Sequence, residues 1–172
     1  MKFLSGFLLG LVVAVLVAVA AGYLAITNGM IPARGDVAPD QFETWAAHNA
    51  LRAVLKREGT ETSPLKGNEA TLMAGAKVYA SNCGGCHGTP KDPTPSFAKG
   101  FNPDPTLFGN GDTVTDDPEG WIHWKVEHGI KFTGMPAFAP MLSKNEIWQV
   151  TMFLKDMDKL PAKVDAFWKK MK

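Results

Sequence analysis

The chain has two cysteines, Cys83 and Cys86, and they lie in one short stretch, SNCGGCHGTP, with His87 directly after the second. Thiols three residues apart followed by an imidazole narrow what the surrounding chain can become. Such a pair can close a redox disulfide, hold half of a zinc site, or attach a haem. A redox Cys-x-x-Cys opens a helix after a strand in a βαβ setting. Here the pair follows a helical pattern, and strand-like alternation is not visible along the sequence. For zinc, Cys83-x2-Cys86 and His123-x4-His128 are valid half sites. However, 36 residues separate the halves, against about 12–15 in the usual finger, and His87 is left without a role.

The N-terminus bears on the choice. Phe3 to Ile26 carries no charged residue, and about 20 apolar residues suffice to cross a bilayer. A signal-peptide apolar region is about 7–15 residues long, so the length favours an anchor that stays in place. The Ala18–Ala20 stretch, AVA, keeps cleavage open as the alternative. Lys2 precedes the run, which places the N-terminus in the cytoplasm and the rest outside it. Either way Cys83 and Cys86 lie in an extracytoplasmic compartment. Charge is almost balanced, with 18 Lys+Arg against 17 Asp+Glu. That is no basis for nucleic-acid binding, which calls for a strongly basic face.

Haem uses all three residues of the motif. Cys-x-x-Cys-His is the pattern of c-type attachment, and attachment outside the cytoplasm agrees with the export segment. The pattern needs a further axial ligand downstream. TGMPAF supplies Met135, between a glycine that permits close approach and a proline that stiffens the loop. Met141 is a weaker alternative. His123 and His128 rank below Met135 because their helix should have one solvated face. Met73, Met152 and Met157 fall on helical faces and read as core. His48 reads as a surface or packed side chain.

The remaining segments are helical or irregular. Residues 27–40 and 60–68 read as linkers. Between them, Asp40 and Glu43 predict a cap, and Phe42, Trp45, Ala46, Ala50, Ala53 and Val54 follow helical spacing up to Gly59. A helix from Glu69 runs into the cysteines, with Gly75, Leu72, Ala76 and Tyr79 on one face. Residues 88–117 are rich in Pro, Gly and Asp; so long an irregular stretch suits a chain that wraps a large non-protein body. Asp117 should cap a short helix that Gly129 closes. Ser143 and Glu146 form a capping box for another, with Ile147, Val150, Met152, Phe153 and Leu154 on its apolar side. After Pro161, a stripe of Val164, Phe167, Trp168 and Met171 predicts an amphipathic tail. Packing on the domain is favoured for it over a partner or the membrane surface.

With GAKVYASNCGGCHG, GMPAF and SKNEIWQVTMFLKDM in view, residues 69–158 resemble a class I cytochrome c. The resemblance implies an all-α cytochrome c fold around one covalent haem c. Cys83 and Cys86 would hold it, and His87 and Met135 would be the axial iron ligands. It implies that the first and last helices cross, with Gly75 and Tyr79 facing Val150 and Phe153. It also implies that a proline just after the motif, Pro90, Pro93 or Pro95, lends its carbonyl to His87. The transmembrane helix and the extra helix before the haem domain lie outside that fold. The expected organisation is therefore an anchor at 1–27, a linker with one helix at 28–68, a haem domain at 69–160 and a basic tail at 161–172.

The expected function is single-electron transfer at the cytoplasmic membrane of a bacterium, with the haem domain facing the periplasm. Donor and acceptor would be redox proteins, namely membrane complexes. The domain's 8 Lys against 11 Asp+Glu between Glu69 and Lys159, a net of 8 − 11 = −3, suits a partner with basic residues. The chain is not expected to be an enzyme. The alternatives are a cytochrome subunit of a larger membrane oxidoreductase, or a haem protein with an open axial position for catalysis or gas sensing.

Overall fold

The structure is a computed structural model and describes residues 2–172. Among the described residues it is all-helical, with seven α-helices, two short 3-10 turns and no strand. The chain divides into two units, 1–37 and 38–172. The first unit carries α1 (Lys2–Thr27). Phe3–Thr27 is long and apolar enough to cross a membrane, and its large side chains are exposed along its length. Met1, the first residue of the expected anchor, lies outside the described residues.

The second unit is built on two crossing helices, α3 (Glu69–Asn82) and α6 (Lys144–Lys155). Asn68 starts α3 by accepting from the Thr71 N–H, and Ser143 with Glu146 forms the reciprocal capping box of α6. Gly75 is where the two backbones meet. A Cβ there would collide with the Gln149 carbonyl and lie 2.8 Å from the Phe153 Cβ. Glycine alone allows this approach, and it lets Leu72, Ala76 and Tyr79 bury fully against Ile147, Val150 and Phe153. Tyr79 and Phe153 stand 5.6 Å apart, ring centre to ring centre.

Two segments outside the expected 69–160 domain belong to this unit. The first is the tail, which forms α7 (Ala162–Lys170). It buries Val164, Trp168 and Met171, with Phe167 partly covered. Trp168 meets Tyr79 edge-on at 5.4 Å and Phe153 at 5.7 Å. The tail thus packs on the core at the crossing itself. The second is α2 (Gln41–Glu58), capped by the Asp40 carboxylate on the Glu43 N–H. Its expected apolar face is largely unused, because Leu55 is its one buried residue. The C-terminal end of α2 meets α5 (Glu119–His128): the Trp124 indole donates to Glu58 at 3.2 Å. Phe42 and Trp45, tilted against each other with ring centres 5.8 Å apart, remain 73 % and 62 % exposed.

Asp117 does not cap α5, whose N-cap is Pro118 with no side-chain cap. The Asp117 carboxylate instead takes the Lys125 ammonium at 2.7 Å, while its carbonyl and that of Thr115 accept from Lys155. Two lysines thereby hold the last part of the irregular segment to α5 and α6.

Candidate haem site

At Cys83 the backbone leaves α3 and enters a single helical turn, α4 (Gly84–His87). The Cys83 carbonyl accepts from both Cys86 and His87, at 3.1 and 2.9 Å. Residues i, i+3 and i+4 of a helical turn share a face, so Cys83, Cys86 and His87 are displayed together. Both thiols are unpaired and half-buried. Burial, reinforced by the neighbouring Cys86, pushes the Cys83 thiol up to about 12. A redox-active Cys-x-x-Cys needs the opposite, a thiol lowered into the range of a ready thiolate.

The His87 ring is fixed on one side. Its Nδ1 lies 2.8 Å from the Thr106 carbonyl, to which it donates, leaving Nε2 as the lone-pair nitrogen. The ring also stacks on Phe108 at 5.2 Å and 24°. Burial holds the His87 pKa below its ordinary value against the opposing pull of that carbonyl, so the neutral ring is favoured.

The carbonyl is not that of Pro90, Pro93 or Pro95, as the resemblance implied. It comes from nineteen residues downstream because the chain doubles back against the motif. Gly109 sits so close to Gly88–Thr89 that a Cβ would lie 2.5 Å from the Thr89 nitrogen and oxygen. The Tyr79 hydroxyl donates to the Gly88 carbonyl at 2.6 Å, and Thr89 and Asp92 exchange two backbone bonds. The prolines near the motif shape that turn, while the 106–108 strip does the holding.

Met135 is half-buried and packs against the same core cluster as Cys83. Its loop is tied down at several points. The Ile130 N–H donates to the Met135 carbonyl, the Met135 N–H donates to the Thr133 hydroxyl, and the Phe138 N–H donates to Val126. Gly134 lies directly against the Phe101 ring. Met141 is 60 % exposed and outside the core. Met152 is buried, and Met73 and Met157 pack on the core.

His123 is not on a solvated face. It is 4 % exposed, stacked on Trp148 at 3.8 Å, with Nδ1 3.7 Å from Glu127 and 4.0 Å from Glu61. With His128, Glu58 and Trp124 it lines a polar cleft of about 260 Å³ between α2 and α5. Cys83, Cys86, His123 and His128 do not gather. Among the described residues, no group of three or more His, Cys, Asp or Glu could hold a metal ion. Burial lowers the His123 pKa despite Glu127 and Glu61, so on acidification the unfolded chain takes up the proton first. Its contribution to stability is complete above about pH 6.5 and is lost as pH falls below that. The melting temperature is therefore expected to drop between pH 7.5 and 5.5, and His123→Phe should flatten that slope.

The donor set suits a c-type haem: two unpaired thiols and a histidine on one face, that histidine already hydrogen-bonded on its far side, and a thioether on the same apolar core. Residues 70–154 match the family described as cytochrome c oxidase, cbb3-type, subunit III. This region is a class I-like cytochrome c domain, a type of domain that binds haem c and transfers electrons. Among solved structures, a chain of the Kuenenia stuttgartiensis reducing HAO-like protein complex is similar. It is 26% identical, over 58% of this chain and 48% of that one, with a TM-score of 0.47. The present chain thus matches about half the length of that one. No curated protein matches the sequence.

Proposed function

We propose that the protein carries single electrons through one covalent haem c, ligated by His87 and Met135, while α1 tethers it to the bacterial cytoplasmic membrane with the domain in the periplasm. The bond from His87 to the Thr106 carbonyl carries the reading. It orients the imidazole before any ligand is considered and raises its basicity toward a metal. Cys83 and Cys86 would hold the haem through thioethers, each thiol S–H adding across one vinyl group with no net redox change. His87 and Met135 would hold the iron, which would supply one-electron chemistry at a raised potential, and with both residues bound no position would remain for substrate chemistry. The chain supplies the ligands, a dry pocket and an approach edge. Donor and acceptor are redox proteins of the membrane.

A second reading makes the chain a subunit of a larger membrane oxidoreductase. The matched family is described as an oxidase subunit, and Phe42 and Trp45 stand uncovered on α2. The two readings are compatible, since both use the same haem site.

The test is haem staining on a denaturing gel. The wild-type chain should stain. Cys83→Ser or Cys86→Ser should leave at most one thioether and much less holoprotein, and the double variant should not stain. Staining of the double variant at wild-type intensity would end the c-type reading.

A further inference from the structure

The turn that precedes Met135 is built against its own interest. Ile130 to Thr133 form a β-turn, closed by the Thr133 N–H donating to the Ile130 carbonyl at 3.2 Å. Its third residue is Phe132, with φ at 63°, the one non-glycine residue at positive φ among those described. That position belongs to glycine or asparagine, and a bulky side chain there is strained. The fold recovers nothing from the ring, which is 89 % exposed. The Lys131 ammonium lies 5.1 Å from the ring centre. Single exposed apolar side chains are ordinary, but one kept in a strained turn with no packing in return points to function.

The place of the turn says which function. The Thr133 hydroxyl donates to the Ile130 carbonyl at 2.7 Å and accepts from the Met135 N–H at 3.1 Å, and the Ile130 N–H donates to the Met135 carbonyl. Phe132 therefore hangs on the same hydrogen-bonded knot that fixes Met135. Beside the knot, the Phe101 ring lies on Gly134 and meets Phe97, itself 67 % exposed, edge-on at 5.1 Å.

We propose that Phe132 is the anchor by which a redox partner protein docks over the Met135 side, its ring entering an apolar socket on the partner and Lys131 meeting a carboxylate at the socket's rim. This rests on the haem reading above. One aromatic anchor on a small patch gives a contact that forms and releases quickly, as electron exchange requires. The domain's net charge of −3 calls for a partner that is basic around the socket, with the carboxylate confined to the rim that faces Lys131.

The experiment uses the full chain in its own membranes. A photoreactive phenylalanine analogue replaces Phe97, which is exposed beside the knot and close to the analogue in shape, with Lys131 kept and either Phe132 or the variant Phe132→Asn in place. With Phe132, irradiation should give one discrete adduct to a protein that carries a redox cofactor. With Phe132→Asn the yield should fall by about tenfold or more. Phe132→Asn alone should not melt lower than wild type, and a rise of about 2 °C is expected from relief of the turn. Equal adduct yields would overturn the proposal. So would adducts to lipid, to a second copy or to a protein without a redox cofactor, or a melting temperature several degrees lower, which would make the ring structural. If the wild-type chain carries no covalent haem, the underlying reading fails, and the proposal fails with it.

Discussion

Met135→Ala is expected to keep the haem covalently attached and to open one axial position. The proposed thioethers at Cys83 and Cys86 and the proposed His87 ligation would be untouched by the change, and the loop that carries residue 135 is held through backbone groups and Thr133 rather than through the methionine side chain. Carbon monoxide should then bind the ferrous protein readily, whereas the wild type should resist it. The reduction potential should fall by on the order of 0.1 V, a modest part of the roughly 0.8 V that axial ligation spans. Met135→His should retain two axial ligands and also lower the potential. Changes at Met141, His123 or His128 should do far less. A Met135→Ala protein that keeps its six-coordinate spectrum and potential, alongside a His123→Ala or His128→Ala protein that loses both, would assign the iron two histidines instead. Rapid carbon monoxide binding by the wild type would favour an open-site haem protein.

The second large effect is at the helix crossing. Gly75→Val should cost about 3 kcal/mol or more. Any Cβ there strikes the Gln149 main chain, and backbone cannot swing aside as a side-chain tip can. The helices would separate, and Tyr79, Phe153 and Trp168 would lose their mutual contacts together. The tyrosine would also give up its bond to Gly88, at the end of the cysteine turn. Both the melting temperature and the fraction of chain bearing haem should fall. Gly100→Ala is the control: no atom lies within 4 Å of its Cβ position, and it should shift stability by no more than about 0.5 kcal/mol.

Much of this was legible in the sequence because it rested on local rules. The cap at Asp40, the capping box at Ser143, the α3 face ending at Tyr79 and the shared face of Cys83, Cys86 and His87 all follow from spacing within a turn or two. Gly75 against α6 was legible only through resemblance, since a glycine's neighbour across the core leaves no local pattern. The failures were long-range or competitive. Asp117 had an ordinary capping position but a nearby Lys125 took its carboxylate. The partner of His87 could not be read from adjacent prolines, because the approach of Gly109 to Thr89 depends on how a twenty-residue excursion folds back. His123 was expected on a helix with one solvated face, yet Trp148 from another helix covers it. A positive φ at Phe132 has no sequence signal, since the residue there is one that turns avoid.

The excursion between Pro93 and Phe108 reaches both sides of the candidate site. At one point it sets Phe101 on Gly134, next to Met135, and farther on it sets the Thr106 carbonyl and the Phe108 ring against His87. It acts as a belt with two buckles. In kinetic terms neither buckle closes to advantage alone, because each fixes chain whose ordering cost is met only when the other is also made. Amide protons at Phe101 and Asn110 should therefore exchange with solvent as one cooperative unit. The two axial positions would then loosen together rather than one at a time.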